Sequence, residues 1–111
     1  MTGVPSAAEA KERRDSGIWQ AVERADREVD NWSADALGLT QRFAVQHAHR
    51  PFLAEEVREW ARLHGLPQPP DGRAWGAVMQ RAARAGYIMQ AGYAKARSSN
   101  LSPKVLWATT P

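Results

Sequence analysis

Arg73, Ala77, Gln80, Arg81 and Arg84 recur at i, i+4, i+7, i+8 and i+11 within "RAWGAVMQRAAR", the spacing of one face of an α-helix. Guanidinium and amide groups on a narrow helical face suit polyanion recognition. Arginine pairs bidentately with guanine and glutamine with adenine in the major groove of DNA. Arg73, near the start of the helix, is the best placed for a base edge. Further along, Lys95, Arg97 and Lys104 stand in and around the polar loop "AKARSSNLSP". They suit phosphate or minor-groove contacts, which add affinity with little sequence information. Ser98, Ser99 and Asn100 offer additional phosphate donors. Duplex DNA is the partner this set predicts.

The charge distribution agrees with that expectation. The 111 residues carry a formal charge of +3, but residues 1–49 hold six basic and eight acidic side chains and residues 50–111 nine basic and four acidic. The half holding Arg73 to Lys104 is therefore the basic one, as a polyanionic partner requires. The "KERR" run, Lys11 to Arg14, reads as an exposed helix start.

Other chemistries find no support. There is no cysteine, so neither disulfides nor thiolate metal sites arise. His47 and His49 are two apart and face different directions on a helix, which makes a poor metal pair. His64 stands alone near a helix end, and Glu55, Glu56 and Glu59 read as a solvated face without a histidine at metal spacing. No phosphate-binding glycine loop or nucleophile elbow is present. The expectation is a non-enzyme without cofactor, metal or small-molecule substrate. The opening segment lacks the apolar core of a signal peptide and no later run is long enough to span a bilayer, so a cytoplasmic location without membrane contact is expected.

Four helices and a hairpin must position these residues. Residues 1–14 lack an apolar period and read as a flexible arm, followed by a single domain over 15–111 that includes an N-terminal helical extension over 15–32. In the first helix, near Asp15 to Asp30, Ile18, Val22, Ala25 and Val29 share a face. Ser33 looks like the N-cap of a second helix that Pro51 stops. Leu53, Val57, Trp60, Ala61 and His64 form the apolar side of a third helix over 53–64, which Gly65 ends. The connector "GLPQPPD" leads to Asp71, an N-cap carboxylate for a fourth helix over 72–85, ended by Gly86. Trp75, Val78, Met79 and Ala82 give that helix its core stripe. "YIMQAGY" and "KVLWATT" then read as the two strands of a hairpin with a long basic tip.

The stretch "FLAEEVREWARLHGLPQPPDGRAWGAVMQRAARAGYIMQAGYAKARSSNLSPKVLW" resembles the winged helix-turn-helix module of small phage and prophage proteins. That family's pattern has an "AEDV"-like helix, a proline-rich turn, "RAWG.V...A...G.I", a "GY" and a distal "SP..LW". The resemblance covers about residues 50–108 and implies a mainly α fold with a small β-hairpin. It makes the helix from Gly72 the recognition helix, the helix from Leu53 its support and residues 93–104 the wing. It implies a DNA-binding protein of the kind used in transcription regulation. The connector is longer than the usual turn of about three or four residues, a departure that bears on how the recognition helix is presented.

Winged helices also bind proteins, which gives an alternative reading. There the acidic, aromatic N-terminal half docks on a host protein or forms a homodimer, with Trp19 and Trp32 as anchors. The remaining tryptophans read as core.

Overall fold

A computed structural model describes the backbone of residues 7–95 and 103–111 and the side chains of residues 17–94 and 103–111. The elements run α1 (Ala7–Glu28), α2 (Trp32–Gln46), β1 (Phe52–Leu53), α3 (Ala54–Leu63), α4 (Ala74–Arg84), β2 (Ile88–Lys95) and β3 (Pro103–Thr109). The fold is mainly helical, with a small antiparallel sheet.

Helix α1 begins at Ala7, well before the start near Asp15 that periodicity suggests. Its first turns, "AAEAKERR", are strong helix formers, so they propagate a helix without presenting an apolar period. Residues 7–14 of the expected arm are thus helical. Farther on, Ile18, Ala21, Val22 and Ala25 are buried along one face. The chain reverses at Asn31, whose φ of 60° is the left-handed conformation asparagine tolerates better than most residues.

Ser33 does not cap α2. It lies one residue inside the helix, where Asp26 of α1 accepts both its N–H at 2.8 Å and its hydroxyl at 2.7 Å. A carboxylate from the preceding helix thus meets a free amide at the positive end of α2, the favourable place for negative charge. Helix α2 also ends at Gln46, short of Pro51. Its buried residues Ala36, Thr40, Phe43 and Ala44 keep helical spacing, and the Thr40 hydroxyl donates to the Ala36 carbonyl at 2.8 Å.

Glycines end α3 and α4 as their positions suggest. Gly65 and Gly86 have φ of 93° and 86°, conformations costly for residues with a Cβ. Leu66 N–H bonds to Ala61 O and Gly65 N–H to Arg62 O, and Tyr87 and Gly86 repeat the pattern onto Ala82 and Ala83. Both ends are Schellman motifs.

The sheet has three strands in the order β1–β3–β2, all antiparallel, rather than the two of a bare hairpin. The added strand is only Phe52–Leu53, pairing with Trp107 and Leu106. Two residues are too few to leave a period in the sequence. Between β2 and β3 the register slips at Ala91, where Gln90 pairs with Trp107 and Gly92 with Leu106. Such a bulge bends the strand and increases its twist.

The core joins helices and sheet through aromatic rings. Trp32 meets Trp75 edge to face at 5.5 Å between centroids, and Phe43 meets Phe52 at 4.9 Å and Trp60 at 5.7 Å. Fully burying a side chain such as Phe52 contributes roughly 1.5–3 kcal/mol. Thr109 Oγ1 donates to the Ala44 carbonyl at 2.6 Å and ties β3 to the end of α2.

Candidate nucleic-acid interface

Helix α4 touches α1, α2, α3 and β2 and is the most enclosed element. Its stripe of Trp75, Val78, Met79 and Ala82 is buried, as its spacing suggests. The second face differs from the expectation: Arg73, Ala77, Gln80, Arg81 and Arg84 do not form one solvent-facing row, because Ala77 is completely buried. The physical reason is α1, which packs across this side. A Cβ at Gly17 would stand 2.9 Å from the Arg73 guanidinium, and one at Gly76 would stand 3.4 Å from Ile18. The small residues Gly76 and Ala77 admit α1, which lies beside Arg73 and places Trp19 under Arg81.

Arg73 is paired with Asp71 through Nε at 3.0 Å and Nη2 at 2.7 Å. Asp71 also accepts the Arg73 backbone N–H at 2.9 Å, so it caps the chain as it enters α4. Regular α-helix begins only at Ala74, after a turn of i to i+3 bonds. The hydrogen bonds from the Arg73 side chain, then its backbone, hold the Asp71 carboxyl below the ordinary aspartate value. The Arg81 guanidinium lies over the Trp19 ring at 4.8 Å, a cation–π contact. Arg73 and Arg84 are exposed, whereas Gln80 and Arg81 are half-buried.

What α4 does present is one wall and the floor of a groove. About 560 Å³ in volume, it runs between the start of α3, α4 and the β2–β3 hairpin, with Ile18 of α1 among its lining residues. Its floor is apolar, made of Trp75, Met79 and Trp107, all buried. Its rim is polar: Glu55 and Arg58 from α3, Gln80 from α4, and Gln90, Tyr93 and Lys104 from the hairpin. Arg58 reaches over the start of α4, where a Cβ at Gly72 would lie 3.6 Å from its guanidinium. Among the described residues Arg58, Arg84 and Lys104 have no ion-pair partner, whereas Glu55 is itself engaged. The Trp75 ring lines the groove, and its buried Nε1–H has no acceptor among the described residues.

Of the residues singled out in the sequence, Gln80 and Lys104 meet at this groove, Arg73 and Arg81 are engaged beside α1, and Arg84 stands apart at the end of α4. The Lys95 side chain, Arg97, Ser98, Ser99 and Asn100 lie outside the described residues, as do the side chains of Lys11 to Arg14. Arg58, Gln90 and Tyr93 are additions. In the sequence Arg58 is one charge on the polar side of α3, and nothing announces that the connector will fold Gly72 back against it. Tyr93, in the "GY" before the basic loop, was the findable one.

Trp32 does not serve as a surface anchor. It is completely buried, and its Nε1–H donates to the Pro67 carbonyl at 2.8 Å. Its position at the first turn of α2 turns the indole inward, where the N–H requires an acceptor. Trp19 is half-buried beneath Arg81.

Two of the three histidines are held by local structure. His47 stacks on Phe43 and His64 on Trp60, each at 3.9 Å between centroids, and Nδ1 of each bonds the carbonyl four residues back. Among the described residues no group of three metal-ligating side chains converges, and no helix is long and apolar enough to cross a membrane. Comparisons with protein families, with characterised proteins and with solved structures give no match to this chain.

Proposed function

We propose that the chain binds DNA as a winged-helix protein, through the groove between α4 and the hairpin. The observation that carries the reading is the placement of Arg58 and Lys104 on the rim of one groove, neither with a carboxylate partner among the described residues. Cations left unneutralised by their own protein are available to phosphates, and releasing the counterions of those phosphates supplies affinity. Three helices followed by a hairpin, with the sheet laid against the end of α2, support the winged-helix part of the proposal. Lys95 and Arg97 add basic residues to the sequence that joins the two strands. The direct role of α4 is smaller than its arginine content suggests, since Arg73 and Arg81 are already engaged.

The test is fluorescence anisotropy with a labelled duplex carrying a single-stranded overhang, at two salt concentrations. Arg58→Gln with Lys104→Gln should weaken binding and lower the salt slope by about 1.4 to 1.8, or roughly 0.7 to 0.9 per lost phosphate contact. An unchanged slope would remove the groove from the interface.

A further inference from the structure

We infer that the groove takes a single, unpaired nucleic-acid strand, with Tyr93 as the platform on which a base stacks; this rests on the DNA-binding reading above. Three features separate an unpaired strand from a duplex. The first is shape. Direct readout of a duplex places a helix inside a major groove about 12 Å wide, so the helix must stand proud of the surface. Helix α4 does the opposite: Trp75 and Met79 lie in the floor, Gln80 on the wall, and α1 packs against Gly76. The surface is a hollow.

The second feature is Tyr93 itself. It lines the groove yet remains 68% exposed, and it stands on β2 beside the bulge at Ala91. Among the described residues no ring or cation stacks on this large aromatic at the rim of the hollow. The face of any base can cover it, without sequence preference. Paired bases inside a duplex are already stacked on their neighbours, so this ring selects bases that are free.

The third feature is the rest of the rim. Arg58 and Lys104 supply positive charge along the groove against one carboxylate, Glu55, which is itself engaged, and Gln80 and Gln90 add amide donors and acceptors. Cations that track a backbone beside an aromatic that holds a base are the elements of single-strand recognition. Charge alone would suit an acidic peptide too, but a peptide leaves the exposed ring unexplained.

The experiment measures anisotropy with a labelled single-stranded oligothymidine and with a blunt duplex of the same length, for the wild type, Tyr93→Ala, Tyr93→Phe and the Arg58→Gln, Lys104→Gln pair. Circular dichroism and thermal melting establish that each variant is folded. The wild type should bind the single strand at least tenfold more tightly than the duplex. Tyr93→Ala should lose about fivefold to a hundredfold in single-strand affinity, the range of base–aromatic stacking. Its salt slope should be unchanged, and Tyr93→Phe should retain the affinity. Tighter duplex binding that still depends on Arg58 and Lys104 would overturn the single-strand inference and leave the DNA-binding reading standing. Single-strand binding indifferent to Tyr93→Ala, or displaced equally well by polyglutamate of the same charge, would overturn the stacking role. Binding to neither nucleic acid would overturn both readings.

Discussion

Replacing Asp26 with alanine should destabilise the fold by about 2–3 kcal/mol, a large effect for a half-buried surface-proximal residue. Its carboxylate accepts two bonds from Ser33, the backbone N–H at 2.8 Å and the hydroxyl at 2.7 Å. Ser33 is buried, and the N-cap residue Asn31 makes no side-chain cap bond of its own. No other cap therefore takes over when the carboxylate is removed. Hydrogen bonds to charged acceptors contribute roughly 1.5–3 kcal/mol each, and loss of a helix N-cap costs about 0.5–2 kcal/mol. The two bonds share one acceptor and the hydroxyl can rotate toward another partner, which places the sum nearer the value for one strong bond plus a fraction. Urea unfolding followed by tryptophan fluorescence measures it, and the denaturant slope should be unchanged because the same surface is exposed. Ser33→Ala keeps the backbone bond and should cost about 1 kcal/mol. The double variant should fall short of additivity by a similar amount, since the two sites share an interaction. A loss below about 0.5 kcal/mol for Asp26→Ala, with additive effects in the cycle, would refute the reasoning: α1 would not be fastened to α2 at this point.

Gly17→Ala should stabilise the protein by about 0.5–1 kcal/mol in the same assay, because alanine is the better helix former. The Cβ displaces only the end of the flexible Arg73 side chain, whose exposed ion pair with Asp71 is of the kind that contributes little; a destabilisation would show that the guanidinium is fixed in place. Trp32→Phe should be more destabilising than Trp75→Phe by about 1–3 kcal/mol, since Trp32 gives up its bond to Pro67 while Trp75 sheds a buried donor that has no acceptor among the described residues. Equal losses would mean that Trp75 Nε1 is satisfied in solution. Asp71→Asn retains a good N-cap but removes the charge that the Arg73 hydrogen bonds favour. Because the folded carboxyl is held below its ordinary value of 3.8, its contribution is present above that pH and is lost as the pH falls through the lower folded value. The wild type should therefore exceed the variant in thermal stability near neutrality and converge with it under acid; a gap that persisted well below pH 3.8 would exclude the ionised pair as its source.

Much of the helical framework is legible in the sequence. The apolar periods of α1 and α4 locate their buried faces, as do Val57 and Ala61 in α3, and Gly65 and Gly86 mark two helix ends because a left-handed residue is needed there. What fails is what depends on distant partners. Ser33 has the chemistry of a cap, but the acceptor that decides its role comes from Asp26 on the preceding helix. Strand β1 exists because β3 returns to pair with it, and Phe52–Leu53 alone carries no strand signal. The candidate site was legible in part. Gln80 and Lys104 belong to it, but their neighbours Arg58, Gln90 and Tyr93 are gathered from separate elements by the folding of the connector and hairpin.

The arginine face of α4 shows why a charged helical stripe is not by itself an interface. The same spacing that groups Arg73, Gln80, Arg81 and Arg84 also includes Ala77, and beside it lies Gly76. Small residues at those positions let a second helix approach closely, and once α1 has done so it supplies its own partners: Gly17 makes room for the Arg73 guanidinium and Trp19 stacks beneath Arg81. Among the described residues, the basic groups that the packing leaves without carboxylates or rings are Arg27, Arg58, Arg84 and Lys104. Two of these four, Arg58 and Lys104, lie on the rim of the groove, beside the exposed ring of Tyr93. The basic half of the chain and the proposed binding surface thus coincide in sequence but not in helix face. Charge reversal at Arg73 or Arg81 would disturb contacts within the fold as well as any partner, so Arg58 and Lys104 are the positions at which a loss of binding can be read as a loss of contact.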